Sequence, residues 1–260
     1  MFQRSDSALE RALALDPDLI TAAAQLITNH VDRGELERAY TDAKALVERR
    51  PESPQAHFAV AYVLRYASLL DESAHECDIA LRLDPGNYSW RSCTQTFFQM
   101  GKTERARDFL ALDAGSEWAA FMGPNILLRD GKVNEARESV RVKQPAPGYR
   151  RNILESCLGL RPPSDFETTI REVERDVALV TDPEPKYTNG AILSFCGQKE
   201  RALRLLKSAI EQNYCAYSAL QRDPLLEKLR GTPEFKQLLA AAKECQNRFL
   251  AETKLGNVQQ

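Results

Sequence analysis

The sequence predicts an all-α protein: a right-handed superhelical solenoid of antiparallel helix pairs, ended by a C-terminal helical cap. Three observations carry that prediction. Pro17, Pro51 and Pro85 fall 34 residues apart, twice in succession. Two of them end nearly the same phrase, Leu13-Ala-Leu-Asp-Pro17 and Leu81-Arg-Leu-Asp-Pro85. A second phrase recurs four times, as Gly34-Glu-Leu-Glu-Arg-Ala39, Gly101-Lys-Thr-Glu-Arg-Ala106, Gly131-Lys-Val-Asn-Glu-Ala136 and Gly197-Gln-Lys-Glu-Arg-Ala202. A fixed period of this length marks a repeat architecture, in which one supersecondary unit stacks on the next.

The physics of one unit follows from its residues. Glycine after a helix takes the left-handed conformation that ends it, so the chain turns back. Acidic residues then open the second helix, where they complement its dipole. The alanine is small and lets two helix backbones approach. Asp-Pro closes the second helix, because the residue before proline is pushed out of helical geometry. Such a hairpin cannot bury its apolar face alone, and stacking neighbours completes the core.

Taken in order, Ser7 to Asp16 reads as a second helix without its first. Hairpins follow through residue 144, the last with Pro124 inside its expected first helix. Residues 145–182 lack the glycine-alanine phrase and are expected to form an irregular hairpin, with helices near 149–160 and 164–180. A regular hairpin returns at 183–213. Residues 214–260 form the cap and tail. There Asp223 and Thr232 are predicted helix caps, each followed by a proline at the first helical position. Leu225, Leu226, Leu229, Phe235, Leu238 and Leu239 are expected to cover the last hairpin. The total is about six hairpins, given a repeat of roughly this length.

Gly34, Ala39, Ala43, Pro51, Ala61, Ala80, Pro85, Gly190, Gly197, Ala202 and Ala209 resemble the pattern of the tetratricopeptide repeat. The resemblance covers residues 5–113 and 183–213 best, and 116–144 less well. Leu220 to Leu239 is similar to the terminal cap after such repeats in bacterial Ser/Thr kinases and winged-helix regulators. This resemblance implies a protein-interaction scaffold, the C-terminal module of a larger bacterial regulatory protein. It also implies that the first helix of each hairpin lines a concave groove that receives a peptide or helix. Carried onto this sequence, the frame puts Phe58, Tyr62, Arg65 and Tyr66 in the groove, with Gln99, Trp118, Phe121, Asn125, Arg129, Tyr187 and Phe195 further along. Aromatic and Arg side chains are favoured interface anchors, although large aromatics at helical spacing also serve as core. The Lys and Asn clamp of chaperone-tail binders is missing, since its slots hold Ala24, Thr28, Phe58 and Tyr62. Segment 145–182 could fill or divide the groove.

Composition narrows the function further. The 35 Lys and Arg balance 37 Asp and Glu, a net charge of −2, which argues against a nucleic-acid partner. No apolar run is long enough to span a membrane. Gly101-Lys102-Thr103 lacks the upstream glycine of a phosphate loop, since Thr96 stands there. The three histidines, His30, His57 and His75, have no spacing that suggests a metal, and no nucleophile has a base nearby in sequence. No cofactor and no enzymatic activity are expected. Arg137, Arg141, Lys143, Arg150 and Arg151 form a basic stretch read as a solvated loop. Cys77, Cys93, Cys157, Cys196, Cys215 and Cys245 show no CxxC, and are expected to be reduced, buried thiols in a cytoplasmic protein. The predicted partner is a protein or peptide. Self-association into a homodimer through the exposed N-terminal half-hairpin is one alternative, and a substrate-recruiting accessory domain of an upstream enzyme is another.

Overall fold

The structure, a computed structural model, describes residues 2–142 and 148–255. Residues 143–147, including Lys143, Pro145 and Pro147 of the basic stretch, lie outside the described residues. A lone helix, α1 (Phe2–Leu15), precedes six helical hairpins. These are α2 (Ile20–Asp32) with α3 (Leu36–Arg49), and α4 (Pro54–Tyr66) with α5 (Leu70–Leu83). Then come α6 (Cys93–Gln99) with α7 (Thr103–Ala111), and α8 (Glu117–Arg129) with α9 (Val133–Val142). The last two are α10 (Tyr149–Cys157) with α11 (Phe166–Ala178), and α12 (Glu184–Phe195) with α13 (Lys199–Glu211). The cap comprises α14 (Tyr217–Arg222), a 3-10 turn at Pro224–Leu229, and the long α15 (Pro233–Thr253).

The recurring phrase works as its chemistry suggests. Gly34, Gly101, Gly131 and Gly197 all adopt positive φ, between +73° and +84°, at the turn inside a hairpin. Ala39, Ala106, Ala136 and Ala202 are each fully buried where the two helices meet. The α4–α5 turn lacks a glycine, and Ser68 takes the left-handed position there with φ +66°. Segment 148–182 supplies a hairpin that stacks between α9 and α12, so the array continues through it. Proline at 124 is accommodated inside α8.

The cap differs from expectation in what it touches. Asp223 and Thr232 do cap their helices, accepting from the backbone N–H of Leu225 at 3.0 Å and Phe235 at 3.3 Å. Yet α15 packs on α3 of the first hairpin as well as on α13, with Tyr40 and Phe249 ring centroids 5.6 Å apart. The backbone N–H of Cys215 donates to Tyr66 O at 2.9 Å, and Gln246 donates to Ser68 O at 2.9 Å. A Cβ at Gly34 would lie 2.6 Å from Gln212 O, so the start and end of the array meet in backbone contact. The solenoid closes on itself.

The cysteine expectation is overturned. All six pair: Cys77 with Cys93, Cys157 with Cys196, and Cys215 with Cys245. Each bond joins successive hairpins or ties the cap, with Cα–Cα distances of 6.0, 5.1 and 5.2 Å. The partners lie 16, 39 and 30 residues apart because stacking, not local sequence, brings them together.

Candidate functional site

The inner face is built by the first helices of the hairpins, and much of it is consumed by internal contacts. Arg65 projects from α4 with its side chain at 0 % exposure. It donates to both carboxylate oxygens of Glu184, at 2.8 and 3.2 Å, and to the carbonyl and hydroxyl oxygens of Ser92, at 3.2 and 3.0 Å. Its guanidinium carbon lies 4.6 Å from the Tyr62 ring centroid and 5.5 Å from that of Tyr66. Tyr214, just before the cap, donates to Glu184 at 3.1 Å and accepts from Gln99 at 2.6 Å. Burial works against the guanidinium charge, but Glu184 beside it holds Arg65 protonated more firmly than usual. Burial pushes the Glu184 carboxyl up, and Arg65 opposes that shift.

A second knot ties α8 and α12 to the cap. Asp223 accepts from Arg129 at 2.7 Å and from Tyr187 at 3.1 Å. The Arg129 guanidinium sits 4.4 Å from the Phe98 ring centroid, and Asn125 donates to the Phe121 carbonyl. The predicted groove residues therefore divide. Tyr62, Arg65, Tyr66, Gln99, Asn125, Arg129 and Tyr187 engage the chain's own residues in buried contacts. Phe58 is half-buried against Trp90, with centroids 5.1 Å apart, and half-buried Phe195 lies under Lys228. Trp118 and Phe121 line a cleft of about 60 Å³ between α6, α8, α10 and α12, walled also by Gln95, Asp182, Glu184 and Asn189.

Among solved structures, the APC/C hetero-tetramer Cut9-Hcn1 aligns over 91% of this chain with a TM-score of 0.57 and 13% identity. The chain has the tetratricopeptide-repeat fold. It spans about half, 52%, of the matched Cut9-Hcn1 chain. A tetratricopeptide repeat protein from Parabacteroides merdae aligns over 92% of this chain and 91% of its own, at a TM-score of 0.49 and 14% identity. YrrB, described as a TPR protein with an unusual peptide-binding site, aligns over 82% and 96%, at 0.42 and 16%. No family model matches the sequence, and no curated protein matches it.

Four oxygens run in a row across this tetratricopeptide array. Asp32 Oδ1, Tyr62 Oη, Tyr66 Oη and Asp182 Oδ1 are separated by 3.0, 2.9 and 2.7 Å. Three hydrogen bonds need three protons, and two phenols supply two. A carboxyl must supply the third. Asp182 accepts from Tyr66 and from the Glu184 N–H; Asp32 accepts from Tyr62 when ionised and donates to it instead when it holds the third proton. Burial and the nearby Asp182 charge push Asp32 up to about 7, and burial raises both phenols well above the usual tyrosine range.

The consequence for stability has a definite sign. A carboxyl raised in the folded state binds more protons than in the unfolded chain, so stability falls as pH rises from about 4 to about 7. The same direction holds for Asp182 and Glu184, which burial also raises, while Arg65 opposes it at all three and Lys186 at Asp182. Asp32→Asn is expected to gain about 1–2 kcal/mol at pH 8 and to lose most of that gain at pH 5. Urea melts at the two pH values measure it, and a variant less stable than the parent at pH 8 would contradict the proton count.

Sequence reasoning missed Asp182, Glu184, Tyr214 and Asp223 as members of these networks. The one signal was the pair of acids among prolines in Asp182-Pro-Glu-Pro185, a composition that does not reveal its partner on α4.

Proposed function

We propose that the chain is a protein-interaction module that takes a segment of a partner along the part of its inner face left open, between α6–α8 and α10–α12. The observation that carries this reading is the cleft itself. It keeps Trp118 half-buried at its wall while much of the rest of the inner face is spent on internal contacts. Trp is among the residues that most often anchor an interface, because it gives large contact area at modest entropic cost. Within this reading the module belongs to a larger regulatory protein, and works where disulfides persist, outside a reducing cytoplasm.

Selection of binders from a random peptide library against the folded chain tests the site. Peptides that bind the parent should lose at least tenfold on Trp118→Ala, the loss of about 1.4 kcal/mol or more usual for an anchor. They should keep their affinity for Leu179→Ser, a substitution at an exposed position of the outer layer. Equal binding to Trp118→Ala and the parent would move the site elsewhere. Isolation of the native protein with its cysteines alkylated before reduction tests the compartment, and fully alkylated thiols would overturn it.

A further inference from the structure

The row of four oxygens crosses the closure of the array. Asp32 is the last residue of α2, Tyr62 and Tyr66 stand on α4, and Asp182 lies two residues ahead of α12. Tyr66 reaches Asp182 across 116 residues of chain, so the row joins the start of the array to its end. The two terminal carboxyls are half-buried, and the phenols between them are buried. With the third proton present, Asp32 donates to Tyr62, Tyr62 to Tyr66 and Tyr66 to Asp182, so every contact in the row is a hydrogen bond. Without it, Tyr62 turns its hydroxyl to Asp32. The Tyr62 and Tyr66 oxygens, 2.9 Å apart, then face each other with no proton between them. Two acceptor oxygens in contact repel, and burial strengthens that repulsion by lowering the local dielectric.

The same proton changes the charge balance. Facing Asp32 are Arg65 from α4, Asp182 from the turn ahead of α12, and Glu184 at the start of that helix. Lys186 of α12 lies near Asp182, and Tyr214 donates to Glu184. Toward α1 and α3, Arg33 is held by Asp6 and Glu35, and His30 faces Asp42. With Asp32 protonated, the carboxylates of Asp182 and Glu184 are matched by the cations of Arg65 and Lys186. Once Asp32 ionises, a third carboxylate faces Asp182 across the closure, with no further cation beside it among the described residues. Like charges at short range repel, so ionisation works to part α2 from residues 182–184.

We propose that this row is a proton-operated latch on the closure of the array, fastened while Asp32 holds its proton and loosened between α2 and residues 182–184 when the proton leaves. Burial and the Asp182 charge, which push Asp32 up to about 7, place the change near neutral pH. Asp182 and Glu184 also wall the open cleft, so the latch couples pH to the part of the inner face that is not spent on internal contacts.

The test uses the full chain without a partner, so its failure leaves the interaction reading untouched. Amide hydrogen exchange, corrected for the intrinsic pH dependence of the exchange rate, is compared at about pH 6 and about pH 8. Corrected protection in α2 and at residues 184–188 should fall at least about tenfold at the higher pH, while α7 and α9 keep theirs. Asp32→Asn puts an amide donor where the carboxyl proton stood, and should hold the protection at both pH values. Tyr66→Phe removes the middle of the row, and a proton on Asp32 then leaves the Tyr62 hydroxyl without its acceptor. In that variant the Asp32 carboxyl, followed by carbon NMR, should titrate lower than in the parent by about one pH unit or more. This second readout stands even where Asp32→Asn does not fold. Equal corrected protection at the two pH values, a loss in Asp32→Asn matching that of the parent, a loss spread evenly over every helix, or an Asp32 midpoint left unmoved or raised by Tyr66→Phe would each overturn the latch.

Discussion

Arg65→Ala is expected to destabilise the protein by about 3–5 kcal/mol, the usual cost of leaving one member of a buried ion pair alone. For a chain of this size that corresponds to a melting temperature lower by roughly 6–20 °C. The reason is geometric. Glu184 is 7 % exposed and loses both hydrogen bonds from the guanidinium, Ser92 loses two donors, and the Tyr62 and Tyr66 rings lose the cation they flank. Arg65→Lys should recover only part of the loss, because a point charge cannot replace a planar fork that binds two oxygens at once. The double variant Arg65→Met, Glu184→Met should lie closer to the parent than either single variant, since removing both charges leaves neither stranded. Thermal melts of the parent and these variants decide the matter. A single Arg65→Ala variant melting within about two degrees of the parent would mean that the pair does not hold the solenoid closed.

Reduction is expected to have a comparable effect through a different route. A disulfide constrains the unfolded chain, and loops of 16, 39 and 30 residues correspond to about 3–4 kcal/mol each. The bond between Cys215 and Cys245 matters most for architecture. It ties the segment that donates to Tyr66 O directly to α15, the helix that reaches back to α3. Replacing both with alanine should lower the melting temperature and loosen the contact between α15 and α3, seen as faster hydrogen exchange in both helices. Adding a reductant to the parent should reproduce the loss and extend it to the Cys77–Cys93 and Cys157–Cys196 links. An unchanged melt in reductant, with free thiols verified by mass, would show that packing alone holds these hairpins.

The two routes meet at one feature, the closure of the array. Arg65 and Glu184 are 119 residues apart, and Gln246 lies 178 residues from the Ser68 carbonyl it donates to. Contacts so distant in sequence leave no periodic trace. The glycine-alanine phrase does leave one, because the turn, the helix start and the close approach of two helices all fall within six residues. For the same reason Asp223 and Thr232 were readable as caps: each capping oxygen meets a backbone N–H two or three residues on. Tyr62, Arg65 and Tyr66 were readable as residues of the inner face, from four-residue spacing and the repeat frame. What they face on that inner surface was not readable, since the superhelix sets which hairpin comes around to meet α4.

The sequence by itself determined the unit and its repetition: a helix, a glycine turn, an alanine contact and a second helix, each governed by interactions within one period. Only the tertiary structure decided that the array closes on itself, that six scattered cysteines meet in three pairs, and that Arg65 finds Glu184. The closure depends on the small rotation between successive hairpins. Summed over six of them, that rotation determines which distant residues become neighbours, and no single repeat encodes the sum.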